Sequence, residues 1–252
     1  MPDPRSYIIE SLDTGLRLMR LFLTHDTLSV TEAARELDVA RSTAHRVLST
    51  LESRGFATRD TSGRGYSAGP ELVALGRPAG YAPGIRARLQ VVLDAGATAT
   101  GETVGTAALI GDQVIITDGR ESPHPVRAVL ETGRAHPAHA TAAGKVLLAR
   151  LTDEQVRALY PRERLPGVTS RTLTSRTALL AELAGIREIG RADSIGESVR
   201  GMNAVAVPLA GRSWRDRLAL VATMPADRGG DVELAGHAEV LRRAAALLPS
   251  PS

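Results

Sequence analysis

A chain of 252 residues is too long for one small module and long enough for two domains of ordinary size. Its charged fraction of 23% and apolar fraction of 43% are those of folded chains, which excludes disorder over most of its length. The absence of cysteine excludes disulfides, thiolate metal sites and a cysteine nucleophile; with no run of about 18 apolar residues and no signal-peptide start, a cytoplasmic protein is expected.

The net charge is +3, and the 31 basic residues comprise Lys145 and 30 arginines. The pI near 9.8 therefore reflects arginine's high pKa more than a large basic excess, and the distribution of charge carries more information than its total.

In chain order, Leu12, Leu16, Met19 and Leu23 draw one apolar stripe along a helix over 8–24, with Ser11 as candidate N-cap. Ser29 and Glu32 form the S-x-x-E capping box of a short second helix carrying Ala33, Ala34 and Leu37. A turn through Asp38, Val39 and Ala40 leads to a third helix whose inner face is Ala44, Val47, Leu48 and Leu51, ended by Gly55 in the left-handed region. A strand, a glycine-containing turn and a second strand follow as a hairpin. After a short helix in PELVALG, the segment RPAGYAPG opposes helix continuation and reads as a linker over 77–84.

Helical pattern resumes with Ile85, Leu89, Val92 and Leu93 as its buried side, and ETVGTAALI and QVIITDGR form a hairpin about Gly111 and Asp112. Helices are expected over 142–151, 153–160, 176–189 and 234–248, and strands in NAVAVPL and DRLALVATM. The fold class expected is α+β: a winged helix-turn-helix over 1–76, the linker, and an effector domain with one antiparallel sheet over 85–252.

The second and third helices have the small residues, tight turn and apolar anchors of a helix-turn-helix. Asp38 occupies the turn position where glycine is commonest, and Asp enters the left-handed region at modest cost. A recognition helix in the major groove exposes Arg41, Ser42, Thr43, His45, Arg46 and Ser49. Arg41 and Arg46 suit guanine edges or phosphates, and Ser42 and Thr43 suit phosphates. Arg64, at the hairpin tip, is the candidate wing contact. Residues 40–66 carry five arginines against Glu52 and Asp60, a basic face on a domain whose remainder is acidic.

The stretches SLDTGLRLM, LSVTEAARELDVARSTAHRVLSTLESRGF and YSAGPELVALG resemble the N-terminal domain of the IclR family of bacterial regulators. The resemblance continues through ATGETVGTAAL, HPAHATAAGKVLLA, LTSRTALLAELAGIREIG and RGMNAVAVPL, and HATAAGK followed by GMNAVAVP is its most specific part. It implies a GAF-like α/β effector domain, a homodimer or homotetramer, and control of a catabolic or metabolic operon as repressor or activator. Carried over by motif, the effector pocket falls on His139, Thr141, Ala142, Ala143, Ser194, Ala204 and Thr223, with Val126 and His136 at its border. Some relatives carry Asp and Cys at the positions of Ser194 and Ala204, which implies a less acidic pocket here.

Within HATAAGK, the small residues Thr141, Ala142, Ala143 and Gly144 at a helix start leave backbone N–H groups for an anionic ligand, a carboxylate being favoured; the alternative is that they only permit close helix-to-sheet packing. Lys145 marks either a place that rejects the guanidinium fork or a solvated helix turn. His124, His136 and His139 raise a metal site only weakly, for want of a carboxylate at ligand spacing.

No phosphate loop, nucleophile elbow, H-E-x-x-H or convincing carboxylate pair occurs, so neither an enzyme nor a cofactor is expected. The expectation is a regulator whose binding to near-palindromic double-stranded operator DNA is modulated by a small organic acid or related catabolic metabolite. No membrane partner is expected.

Overall fold

The computed structural model describes residues 8–59, 65–76, 85–209 and 218–248. The chain divides into two compact units, Met1–Tyr81 and Ala82–Ser252. The expected wing-tip residue Arg64 and the expected linker 77–84 lie outside the described residues.

In the N-terminal unit, α1 (Glu10–Leu21) is followed by α2 (Val30–Leu37) and α3 (Arg41–Ser53). The capping box of α2 is present: Glu32 N–H donates to Ser29 Oγ at 3.2 Å and Ser29 N–H to Glu32 Oε2 at 2.8 Å. Asp38 turns the chain in the left-handed region, with φ 56° and ψ 51°, and Gly55 ends the α3 segment with φ 76°. Strands β1 (Ala57–Arg59) and β2 (Tyr66–Ala68) pair antiparallel, Ala57 opposite Ala68. Leu28 adds a bridge to Tyr66, and α4 (Pro70–Gly76) follows. Leu18, Leu28, Ala33, Leu37, Ala44, Leu48, Ala57 and Tyr66 form the core.

The first helix corrects two expectations. Leu12, Leu16 and Leu23 are exposed, and the buried face carries Thr14 and Leu18 instead. The helix holds two stripes, and apolarity alone selects the wrong one. Thr14 is tolerated inside because its hydroxyl donates to the Glu10 carbonyl at 2.8 Å, so no polar group is left unsatisfied. The N-cap is Ile9, without a side-chain bond, so Ser11 lies inside the first turn.

Among the described residues, the C-terminal unit holds a six-stranded antiparallel sheet between helices. Its strands are β3 (Thr103–Ile110), β4 (Gln113–Arg120), β5 (Ala135–Pro137), β6 (Ala192–Ile195), β7 (Met202–Pro208) and β8 (Leu218–Pro225), in the order β5-β4-β3-β8-β7-β6. On one face, α5 (Ile85–Thr100) and α9 (Asp231–Ala245) pack together and against β3, β7 and β8. On the other, α6 (Ala142–Leu148), α7 (Asp153–Leu159) and α8 (Arg176–Ile189) cover Ala107, Val114, Ala206, Ala219 and Val221. Because both faces are covered, β8 is buried at every position except the half-buried Thr223. It therefore reads as a continuous apolar run rather than an alternation.

Strands β5 and β6 were not expected. Each is an edge strand of three or four residues, β5 contains Pro137, and β6 reads Ala-Asp-Ser-Ile, so neither carries a period-2 apolar signal. Helix α6 ends at Leu148, three residues short of the expected stop, and α9 begins at Asp231, three residues earlier than expected.

Candidate functional site

On α3 the inner face is Ala44 and Leu48, with Val47 half-buried, and this fixes what the opposite face presents. Arg41, Ser42, Thr43, His45 and Arg46 are exposed; Ser49 is half-buried. Ala40 occupies the N-cap and supplies no side-chain acceptor, and the first turn contains no acid. The helix N-terminus thus keeps its N–H groups and positive dipole end for an external acceptor, which is what a DNA phosphate supplies. Arg59 on the hairpin is held by Glu52 and lies over the Tyr66 ring, 5.1 Å from its centroid.

The C-terminal unit contains a cavity of about 340 Å³. The sheet builds one wall by alternation: Thr103 and Gly105 of β3, Val114 and Ile116 of β4, and Val221 and Thr223 of β8 are each two apart and face the same side. Thr103 pairs with Thr223, Thr223 with Ala204, and Ala204 with Ser194, a single row across four strands. The first three line the cavity. Ser194, the fourth, is buried and its hydroxyl donates to the Ala140 carbonyl at 3.3 Å.

Thr141, Ala142 and Ala143 at the start of α6 form the floor. Their neighbour Gly144 has a different task, since a Cβ there would lie 2.1 Å from the Ala138 carbonyl oxygen. The two readings of the small-residue run therefore divide by residue: three border the cavity and one permits close packing. The remaining walls are the segment from Arg127 to Glu131 and the segment containing Ser198 and Val199. Leu130 rests on the sheet where a Cβ at Gly119 would meet it at 2.7 Å, so this loop needs glycine beneath it.

The polar lining is mostly neutral. Burial, then the charge of Arg134, lowers the pKa of His136, leaving its imidazole uncharged at neutral pH. Arg127 pairs with Glu121 at 2.9 Å, and Glu121 also accepts from Leu130 N–H at 3.1 Å. That backbone bond, then Arg127, holds the Glu121 carboxyl below its usual range.

Six expected pocket residues meet at this cavity: His136, Thr141, Ala142, Ala143, Ala204 and Thr223. Ser194 does not reach it, Val126 is exposed on the loop with its carbonyl accepting from Arg228, and His139 faces another cavity. Thr103, Glu131, Ser198 and Asn203 also line the cavity and were not anticipated. The period-2 faces of the expected hairpin could have flagged Thr103; the loop residues carry no periodic signal. His136 and His139 line different cavities, and among the described residues no three His, Asp or Glu side chains converge as metal ligands.

Lys145, one turn along α6 from the cavity floor, is fully buried and donates to Glu182 Oε1 at 2.6 Å and Glu197 Oε1 at 2.7 Å. The solvated-turn reading is thereby overturned. Burial is the main influence on Glu197 and raises its pKa, opposed by Lys145. Glu197 directly precedes the wall residues Ser198 and Val199, and its carbonyl accepts from Thr172 Oγ1 at 2.7 Å.

Among the described residues no helix is long and apolar enough to cross a membrane. A family model described as "Bacterial transcriptional regulator IclR C-terminal" matches residues 82–248, and one described as "IclR helix-turn-helix domain" matches 11–61. The chain is 32% identical to the transcriptional regulator XynR of Escherichia coli over 94% of each chain. It is 34% identical to the regulator Rv1719 of Mycobacterium tuberculosis, over 93% of this chain and 90% of that one. A solved regulator from Alicyclobacillus acidocaldarius superimposes with a TM-score of 0.79 at 29% identity, covering 95% of this chain and 97% of the other. A homologue from Microbacterium hydrocarbonoxydans, solved with 4-hydroxybenzoate, matches in fold with a TM-score of 0.80 at 23% identity, covering 94% and 96%.

Proposed function

This chain belongs to the IclR family of bacterial transcriptional regulators, DNA-binding proteins rather than enzymes, and on that premise we propose that it is a repressor released from its operator by a small organic acid. The observation that carries the effector half is the 340 Å³ cavity, where three cross-strand row residues meet the α6 floor. The Thr223 hydroxyl, neutral His136 and Arg127, the last shared with Glu121, offer hydrogen bonds to a carboxylate, while Val114, Ile116 and Val221 accept an apolar body. The carboxylate bound by the Microbacterium relative supports this chemical class.

The DNA half rests on α3, with Arg41 and Arg46 reading bases or phosphates, Ser42 and Thr43 contacting phosphates, and His45 and Ser49 further along the groove. A homodimer or homotetramer places two such helices on a near-palindromic operator. The ligand must favour the released state over the bound state, since only differential affinity moves the equilibrium.

The test is a mobility-shift titration with carboxylates selected by thermal shift of the full chain. The unliganded protein is expected to hold the operator, the selected acid to release it, and Ala143→Leu to hold the operator without responding. An unchanged response in Ala143→Leu would place the effector elsewhere. An acid that strengthens DNA binding would reverse the sign of regulation.

A further inference from the structure

The fixed charges around the cavity beside α6 cancel in pairs. Among the described residues that line it, only Arg127, Glu131 and His136 carry charged or titratable side chains. Arg127 is bound to Glu121 at 2.9 Å, and Glu121 is itself fixed by Leu130 N–H at 3.1 Å, so the guanidinium is already balanced. Glu131 pairs with Arg134. Behind the lining, Lys145 is held by Glu182 and Glu197, and Arg228 by Glu102 at 2.7 Å, so neither supplies a free cation.

His136 is the exception. It sits on the edge strand β5 opposite Val114, it is half-buried and borders the cavity, and among the described residues its ring makes no hydrogen bond. Val114 and Ile116 of β4 and Thr141, Ala142 and Ala143 of α6 bring no charge to this wall; the charges that act on the ring are Arg134 and Glu131, and Arg127 lines the same cavity. Burial first and Arg134 second favour the neutral ring while no anion is near. A carboxylate moved from water into such an enclosure brings a negative charge without a counter-charge, which is costly unless it is paired. Of the groups at the lining, only the imidazole gains a positive charge close to neutral pH.

We propose, on the carboxylate reading of this cavity, that the effector enters it together with one proton, held by His136, so that the sensor responds to the acid and to acidity at once. The acid arrives ionised, as carboxylic acids are near neutral pH. The proton comes from solvent and adds to the free ring nitrogen, which leaves an imidazolium beside the carboxylate with no other bond changed. One positive and one negative charge enter, and the cavity stays neutral. An anion beside the ring raises its affinity for a proton, so binding tightens as pH falls from the bound-state value of His136 toward its free-state value and levels off below that. A given concentration of acid then acts more strongly at pH 6 than at pH 8.

Calorimetric titration of the full chain with benzoate, 4-hydroxybenzoate and hexanoate, in buffers of different ionisation enthalpy, counts the protons taken up. Binding is expected to take up about half a proton or more per acid at pH 6.5, and to be about fivefold or more tighter at pH 6 than at pH 8. His136→Gln keeps a hydrogen-bond donor for the carboxylate but cannot hold the proton; it is expected to bind within about twofold of the parent at pH 8 and to lose both the uptake and the pH dependence. In the parent, the ring resonances of His136 should move to the charged form when acid is added, a readout that needs no variant to fold. Ala143→Leu is expected to abolish the binding heat; heat that survives it places the acid elsewhere and overturns both the carboxylate reading and the inference. Binding by the parent without proton uptake overturns the inference alone and leaves the carboxylate reading standing. Uptake that survives His136→Gln overturns the assignment to His136, and its loss in Glu131→Gln would relocate the proton. Failure of all three acids to bind at either pH removes the carboxylate reading and the inference with it.

Discussion

The two units carry their candidate sites in opposite ways. In the N-terminal unit the site is the outside of a single helix, and every residue from Arg41 to Arg46 except Ala44 is exposed because the helical period turns it away from the core. In the C-terminal unit the site is an interior, assembled from strands, a helix start and two loops that are distant in the chain. Side chains on the first can change without disturbing packing. In the second, the same residues that border the cavity also hold the fold, so function and stability are coupled there.

The largest test of that contrast is Lys145→Met. It strands Glu182 and Glu197 around a buried site, and removing one member of such a group costs about 3–5 kcal/mol. Glu182 is about a third exposed and able to turn to water, so the lower end is expected. Chemical denaturation should show the loss in the C-terminal unit; an unchanged unfolding free energy would remove the coupling. Arg46→Ala should do the reverse, lowering operator affinity by about 10- to 100-fold, equivalent to about 1–3 kcal/mol, with no change in melting temperature. Retained affinity, with the same salt dependence, would mean that α3 is not the reading surface.

Asp38→Val places a β-branched residue at φ 56° and should destabilise the N-terminal unit by about 1 kcal/mol in urea titrations. The smallest effect belongs to Glu163→Gln. Backbone and side-chain hydrogen bonds from Thr177 and Ser175 hold the Glu163 pKa down to about 2 from 4.5. Its contribution is complete above the unfolded value and fades as pH falls from about 4.5 toward 2. The variant should therefore melt slightly below the parent at neutral pH and converge with it near pH 2.

What the sequence made legible was local. The capping box, the left-handed Asp38 and the helices now seen as α6, α7, α8 and α9 follow from signals a few residues long, and the structure contains all of them. Helix α1 misled because it has two apolar stripes, and choosing between them needs the partner surface. The edges of the sheet were invisible, because β5 and β6 are too short to show a period. Half of the cavity was foreseeable from the motif resemblance and the strand alternation. The rest, such as Glu131 and Ser198, enters through loops whose position depends on contacts such as Leu130 over Gly119 and Thr172 on the Glu197 carbonyl.

The burial of Lys145 also makes the protein its own unfolding reporter. The chain's one ε-amino group is fully enclosed, so an amine-reactive reagent finds no lysine side chain on the native surface. Acylation at Lys145 then proceeds only as fast as the region around α6 opens, and peptide mapping of that single adduct times the opening. A ligand that tightens the cavity floor should slow that labelling, giving an occupancy measurement that needs neither DNA nor an attached dye.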